Sequence, residues 1–209
     1  DLYLPYKPRR RTRAESARLS GLEPLAKIIM SQHGDDIEYR ARKFVNDNVK
    51  TVDDAILGAK DIIAEWVSES ANARNRVRSI YARTASLVCK VVKGKELQGE
   101  KFSNYFNTEE LLKRCASHRL LAMLRGEAEG VLKLNLKADD SEVLEKLYKM
   151  FVKGSGMSSR MVSSAIDDSY KRLIKPSIET EMMNAAKQEA DRVAIDTFAQ
   201  NLRQLLFAP

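Results

Sequence analysis

The sequence has few cysteines, histidines and prolines. Its 209 residues include two cysteines, two histidines and five prolines. Cys89 and Cys115 lack the CxxC spacing of metal and redox sites, and their apolar neighbours suit small buried thiols better than a disulfide. We therefore expect a fold that needs neither a disulfide nor a metal, in a reducing compartment.

Long hydrophobic runs are also missing. No apolar stretch approaches the roughly 18 residues that span a bilayer, and the first residues lack the basic and then hydrophobic pattern of a signal peptide. These absences predict a soluble, cytoplasmic protein. The chain begins with Asp1 and ends with Pro209 directly after an apolar segment, so we expect it to be a piece of a longer polypeptide.

Side chains that could carry out catalysis are scarce. His33 and His118 accompany no nucleophile motif, and two cysteines and two histidines at scattered positions cannot form a zinc ligand set. Four Asp-Asp pairs could in principle hold Mg²⁺, but three stand at predicted helix starts, where capping explains them. The fourth, Asp167-Asp168, lies inside a helix, where adjacent residues do not share a face. We expect no enzymatic activity, no metal and no cofactor.

Positive charge is concentrated in two segments. The formal net charge is +7, residues 1–20 hold six Lys and Arg against two acidic side chains, and residues 71–101 hold eight against two. Such confined basic patches are the expected footprint of a polyanion such as nucleic acid. A solvated surface whose acidic complement lies elsewhere in a longer chain explains the same pattern. The charge alone leaves both interpretations open.

Helical periodicity dominates the first 85 residues. Thr12 can cap a first helix, Pro24 fits the first turn of a second, and Asp35-Asp36 and Thr51 open a third and a fourth. A basic helix follows over about 71–85. These signals predict a helical bundle that is preceded by a basic N-terminal arm.

The periodicity changes after this bundle. Residues 87–92 are a short segment rich in β-branched valine, and residues 131–136 alternate apolar with polar side chains, as strands do. Between them we expect a Gly-containing turn, a short helix near 108–114 and a helix over about 117–125. An isolated strand pair is marginal in water, so this pair must pack against helices. The sequence thus predicts a two-stranded β element within 86–137.

Two helical segments complete the chain. Residues 138–175 indicate two helices joined by a short loop, a helix-turn-helix pair, although the second helix has few groups suited to reading base edges. A final helix from Pro176 to about Phe207 would span roughly 45 Å, and we expect it to connect domains. The predicted fold class is mainly α: a multi-helix bundle with a small two-stranded β element and a long C-terminal helix. The expected segments are 1–85, 86–137, 138–175 and 176–209.

Ten side chains are candidates for contact with nucleic acid. Arginines beside tyrosines suit phosphate contact together with stacking. Ser117 fits the N-cap of a helix, and an Arg in the first turn of that helix can meet a phosphate. An N-terminal arm packed over the bundle and a structural His-Arg network explain the same residues without a ligand. The candidates are Lys7, Arg9, Arg10, Arg11, Arg13, Lys90, Lys93, Lys95, His118 and Arg119.

Four stretches resemble the Tex family of bacterial transcription accessory proteins, in the family's order and over essentially the whole chain. They are YLPYKPRRRTRAESARLSGLEPLA (Tyr3–Ala26), KVVKGKELQGEKFSNYF (Lys90–Phe106), SHRLLAMLRGEAEGVL (Ser117–Leu132) and YKRLIKPSIETEM (Tyr170–Met182), the last leading to FAQNLRQLLFAP (Phe198–Pro209).

The resemblance implies a position inside a larger protein. It corresponds to the later part of the family's helical N-terminal portion, before an RNase H-like domain, helix-hairpin-helix elements and an S1 RNA-binding domain. Family members bind nucleic acid and affect transcription, and a eukaryotic relative is an elongation factor that travels with RNA polymerase. The family offers no catalytic residue for positions 1–209.

Two functions are compatible with this resemblance. The first is a non-catalytic scaffold segment that positions downstream RNA- and DNA-binding domains and adds sequence-independent contacts to the nucleic-acid backbone. The second is an interaction module that docks RNA polymerase or the parent protein's own domains, with its arginines in internal ion pairs.

Overall fold

The computed structural model describes residues 11–34 and 36–207. Within them the α-helices are α1 (Arg13–Leu19), α2 (Glu23–Ser31), α3 (Ile37–Ala41), α4 (Val52–Glu69), α5 (Ala71–Thr84), α6 (Ser117–Ala128), α7 (Asp140–Phe151), α8 (Met157–Ser169) and α9 (Lys175–Phe207). The strands are β1 (Ser86–Val91), β2 (Thr108–Leu111) and β3 (Leu132–Lys137). The predicted class is confirmed: the chain is mainly helical, with a small sheet and a long C-terminal helix.

The chain forms two compact units, each made from two segments. The first unit combines the chain up to Arg74 with Leu144–Lys175, and the second combines Asn75–Val143 with the chain from Pro176 onward. The four segments inferred from the sequence remain a prediction about domain organisation. No helix in the described part of the chain is long and apolar enough to cross a bilayer.

Helix α4 is the centre of the first unit, where α1, α2 and α8 pack against it. It begins with a complete capping box: the Asp54 amide donates to Thr51 Oγ1 at 3.0 Å, and the Thr51 amide donates to Asp54 Oδ2 at 3.2 Å. The Ser169 hydroxyl of α8 donates to the Ala64 carbonyl of α4 at 2.6 Å. Thr12 likewise caps α1 by accepting from the Glu15 amide at 3.0 Å. The helix starts predicted at Thr12 and Thr51 are thus confirmed.

Gln32 links the end of α2 to the loop between α7 and α8. Its Nε2 donates to the Phe151 carbonyl at 2.7 Å, and its Oε1 accepts from the Lys153 amide at 2.8 Å and from the Ser159 hydroxyl at 2.9 Å. The Ser158 hydroxyl donates to the Gly34 carbonyl at 2.7 Å. These bonds satisfy polar groups of the loop within the protein, so the loop serves the packing of the first unit.

The sheet of the second unit is antiparallel and, within the described residues, has three strands in the order β2-β1-β3. The two-stranded element predicted from the sequence was therefore one strand short. The third strand, β2, and a 3₁₀ turn at Leu112–Arg114 occupy the region where a short helix near 108–114 was expected, and that local prediction was wrong. Four residues that include Glu109 and Glu110 give little β signal by themselves. Pairing along the edge of β1 decides their conformation, because a third strand makes the sheet more stable than a pair.

One face of the sheet packs against α6. Leu87 and Cys89 of β1 and alternate residues of β3 are buried with Phe102, Leu120 and Met123. Gly126 of α6 permits this contact: a Cβ built on it would lie 2.5 Å from Leu132 Cδ1 and 3.3 Å from Phe102 Cγ. The predicted need for strands to pack on helices is met by this core.

No non-helical residue separates α8 from α9. Tyr170–Ile174 form a π-helical turn between the two helices, directly before Pro176. A proline has no amide N–H and clashes with the carbonyl four residues earlier, and a π turn is a common way for a helix to continue past such a position. Pro176 lies in the first turn of α9 as predicted, but the continuity with α8 was not predicted.

We expect Gly126→Ala to destabilise the protein by about 1–3 kcal/mol, because the new methyl group overpacks the contact between α6 and β3. The sign of the change in stability is informative, because alanine is favoured over glycine by about 1 kcal/mol in a helix without such a contact. Urea unfolding would measure the change, with Ser79→Ala on the exposed face of α5 as a control that shifts stability by less than about 0.5 kcal/mol. A stabilised Gly126→Ala variant would contradict the packing.

Candidate nucleic-acid interface

The other face of the sheet is exposed and carries lysines. Side chains alternate between the two faces of a strand, so burying Leu132, Leu134 and Leu136 of β3 directs the residues between them to solvent. The exposed polar residues of this face are Lys90 of β1, Glu109 of β2, and Lys133, Asn135 and Lys137 of β3. We call Lys90, Lys133, Asn135 and Lys137 the lysine face.

Two of these lysines stand directly opposite each other. Lys90 and Lys133 are register partners in the antiparallel pair of β1 and β3, and neither forms an ion pair with a described residue. Like charges at such positions destabilise a sheet by several tenths of a kcal/mol. Lys137 has an acidic neighbour, because its Nζ lies 3.5 Å from Glu109 Oε2. The lysine face is therefore a surface of positive charge, and among the described residues Glu109 is the carboxylate that pairs with one of its lysines.

The turn after β1 places two more of the predicted lysines next to this strand. Gly94 allows the turn with a φ of +83°, and the Val92 amide extends the ladder by donating to the Val131 carbonyl at 2.8 Å. Lys93 is exposed, whereas Lys95 is half-buried and donates to Gln98 Oε1 at 2.8 Å. Of the two, Lys93 is the better placed to add charge to the surface around Lys90.

His118 and Arg119 lie at the start of α6. Ala116, not Ser117, occupies the N-cap position, and no side chain caps this helix end. The expectation that Ser117 is the cap was therefore wrong. The guanidinium of Arg119 donates to Glu110 Oε1 from Nε at 3.2 Å and from Nη2 at 3.0 Å, and it lies 5.4 Å from the Tyr105 ring centroid. These contacts are those of a structural network, while His118 is exposed and its role stays a prediction.

The N-terminal candidates lie partly inside and partly outside the described residues. Lys7, Arg9 and Arg10 lie outside the described residues. Arg11 and Arg13 are exposed and line an open cavity of about 440 Å³.

Carboxylates also line the cavity beside Arg11 and Arg13. Asp61 and Glu65 of α4 are among the lining residues, and Glu65 pairs with Arg18 and accepts from the Thr12 hydroxyl at 3.3 Å. Burial raises the pKa of Asp61, while the charge of Arg172 lowers it. An anion would meet these carboxylates, so the cavity is a poorer phosphate site than the lysine face.

Several arginines and lysines of the second basic segment are neutralised by carboxylates. The Arg78 guanidinium contacts Glu181 of α9 at 2.5 and 3.1 Å, and Arg83 pairs with Glu142 of α7. Lys101 Nζ lies 2.7 Å from Glu129. These partners are distant in the sequence, so a count of local charge overestimates the free positive charge of residues 71–101.

Lys133, Asn135 and Lys137 are not among the candidates predicted from the sequence. They lie outside both basic segments, and the pattern of residues 131–136 predicted only a strand. The alternation of apolar and polar residues in β3 indicates that these three residues share a surface, because the polar residues of a strand with one buried face all point to the other face.

The described residues contain no group of three or more His, Cys, Asp or Glu that could hold a metal. The two members of the Asp-Asp pair inside α8 are both engaged. Asp167 accepts a hydrogen bond from the Tyr148 hydroxyl, and Asp168 pairs with Arg172. Burial, with the hydrogen bond to Asp167, raises the pKa of Tyr148 to about 12.

The fold and the lysine face define a helical protein segment with a small sheet whose open side suits a polyanion. The family model described as Tex central region-like matches residues 32–198. The chain belongs to this Tex family, and the resemblance found in its sequence is confirmed.

Relatives match the whole chain. It is 37% identical to "Transcriptional accessory protein Tex" of Neisseria gonorrhoeae and 38% identical to "Protein YhgF" of Escherichia coli (strain K12), over 100% of its length in both cases. It is 25% identical over 97% of its length to "S1 RNA-binding domain-containing protein 1" of Homo sapiens. The chain spans 28% of the first two relatives and 22% of the third.

We expect both cysteines to react slowly with iodoacetamide in the folded protein. Cys89 is buried and Cys115 is half-buried, neither is in a disulfide, and burial raises the pKa of each thiol from 9.0 to about 11. Since the thiolate is the nucleophile, alkylation at pH 8 should be about 100-fold slower than for an exposed thiol and should accelerate on unfolding in urea.

The same pKa shifts predict a loss of stability in alkali. A thiol whose pKa is raised by folding stabilises the folded state fully below pH 9, and this contribution disappears as the pH rises toward 11. Urea unfolding at pH 8 and pH 11 measures this loss, and the Cys89→Ala variant is the control in which the difference in stability between the two pH values should be smaller.

Rapid alkylation of the folded protein at pH 8 would contradict the burial of the thiols.

Proposed function

We propose that this chain is a non-catalytic, nucleic-acid-associated scaffold segment of a Tex-like transcription accessory protein. The observation that carries the proposal is the opposed pair Lys90 and Lys133 on the exposed side of the sheet. Their repulsion costs stability in the free protein, and a polyanion that binds between them removes this cost. The names of two relatives, which refer to transcription and to an S1 RNA-binding domain, support the same class of partner.

The chemistry of the lysine face favours contact with the nucleic-acid backbone over reading of bases. Lysine ammonium groups are flexible point charges, whereas base recognition in duplexes commonly uses the fixed donor pair of arginine. Asn135 is the one amide of this face. We therefore propose contacts that are independent of sequence and sensitive to salt.

Helix α9 supports the scaffold part of the proposal. Its 33 residues span about 50 Å, and from residue 191 to residue 207 every side chain is exposed. The relatives are between three and five times as long as this chain. We propose that α9 positions further nucleic-acid-binding domains of the parent protein.

We expect the double variant Lys90→Gln, Lys133→Gln to weaken binding of a duplex by tenfold or more at about 50 mM salt. It should also lower the slope of log affinity against log salt by about 2, since each lysine accounts for about one released counterion. Fluorescence anisotropy with a labelled duplex, at salt concentrations from about 50 to 200 mM, measures both quantities.

Lys27→Gln, Lys149→Gln is the matched control. It makes the same change in net charge, at lysines that already pair with Glu23 and Glu145 on their own helices. An equal loss of affinity in both double variants would show that only net charge matters and would reject the lysine face. Thermal unfolding distinguishes a binding role from a structural one, because removing the repulsion should leave the Lys90, Lys133 variant as stable as the parent or slightly more stable.

One observation favours the alternative function, an interaction module that docks RNA polymerase or the parent's own domains. The exposed part of α9 has a stripe of apolar side chains at helical spacing. Ile195 and Phe198 are each 68% exposed and Leu205 is 80% exposed. Exposed apolar surface of this kind commonly marks a protein contact.

We expect Phe198→Ser, Leu205→Ser to abolish a protein contact of α9 while leaving duplex affinity unchanged. Purified RNA polymerase and a fragment that contains the parent's remaining domains would each be tested in titrations against the chain. If neither binds the unchanged chain, the alternative fails. If the serine variant binds as well as the parent, the stripe is not the docking surface.

A further inference from the structure

The first unit contains a basic and aromatic cavity that shares no residue with the lysine face. It lies at α2 and α3, is open to solvent on one side and measures about 440 Å³, within the range of roughly 300–1,000 Å³ that is typical of small-ligand pockets. Its lining residues are Ile28, Asp36, Tyr39, Arg40, Lys43 and Phe44.

Tyr39 is the more exposed of the two aromatic side chains that line this cavity. It is 61% exposed, whereas Phe44 is half-buried. The Lys43 ammonium, one helical turn later, lies 5.6 Å from the ring centroid. An exposed ring beside a flexible cation is the arrangement on which bases stack in proteins that bind single strands.

The cations around Tyr39 are available for a ligand. Arg40 and Arg42 are exposed and form no ion pair with a described residue. Of the two, Arg40 lines the cavity, so its charge is available to an anion that enters there, whereas the charges of Arg78 and Arg172 are held by carboxylates.

Asp36 adds a carboxylate to the lining of the same cavity. A carboxylate can only accept hydrogen bonds, so it repels a phosphate and suits the exocyclic amino group of a base. The lining thus combines a ring for the face of a base, a carboxylate for its edge, and the cations Arg40 and Lys43 for the adjoining phosphate.

We propose that this cavity binds one nucleotide of a single-stranded nucleic acid, with the base stacked on Tyr39. A single strand is the fitting ligand because the bases of a duplex are stacked on each other and cannot reach an aromatic side chain. The inference rests on the proposed function only in taking nucleic acid as the partner. The residues of the cavity differ from those of the lysine face, and the ligand is a single strand instead of a duplex.

The test uses a short single-stranded oligonucleotide that contains the fluorescent base 2-aminopurine. Stacking on Tyr39 quenches this base, so binding to the unchanged chain should lower its fluorescence. Tyr39→Ala should remove the quenching and weaken binding by about 5- to 100-fold, the usual effect of deleting one stacking ring. Tyr39→Phe keeps the ring and should keep both properties.

Phe198→Ala is the matched control, because it removes another exposed ring, in α9, and should change neither property. Duplex affinity should be unchanged in Tyr39→Ala, and circular dichroism confirms that each variant is folded. Unchanged quenching and affinity in Tyr39→Ala, or an equal loss of duplex binding, would overturn the proposal.

The two proposals can fail separately. If Lys90→Gln, Lys133→Gln weakens duplex binding and Tyr39→Ala has no effect on single strands, the lysine face stands and the nucleotide cavity is rejected. If Tyr39→Ala abolishes quenching while the lysine variant binds duplex normally, the cavity stands and the lysine face is rejected. Failure of the unchanged chain to bind any oligonucleotide at low salt overturns both.

Discussion

The contact between Leu132 of β3 and Gly126 of α6 is the constraint on which the second unit's surface depends. A side chain at position 126 would collide with Leu132, so the strand approaches the helix only because the glycine is there. This approach buries alternate residues of β3 and thereby fixes which residues face solvent. The lysine face is a direct consequence of how the opposite face is packed.

Local signals in the sequence were sufficient for most helices but not for the whole sheet. Thr12 and Thr51 identify helix starts because capping is a contact between residues three positions apart. Strand β2 has no comparable local signal, since it is stabilised by pairing with β1. Its conformation depends on residues about twenty positions earlier, and a local pattern cannot contain that information.

The candidate site was predicted in part for the same reason. Lys90 and Lys93 stand out as members of a basic segment, and they are exposed in the structure. The partner of Lys90, Lys133, lies 43 positions later and becomes its neighbour only through the register of β1 and β3. Arg119 shows the opposite outcome. Its charge suggests contact with a ligand, but in the structure its guanidinium pairs with Glu110. Local charge in the sequence identifies candidate residues, and ion pairs formed in the folded protein decide which of these charges remain free.

The opposed lysines give ionic strength two contrary effects on this protein. Dissolved salt screens the repulsion between Lys90 and Lys133, so added salt relieves a local strain in the free sheet. The same ions compete with phosphates for the lysines and weaken a complex. If nucleic acid binds at the lysine face as proposed, added salt would relieve the repulsion in the free sheet and weaken the complex, so folding and binding would respond to salt with opposite signs at this one pair of residues.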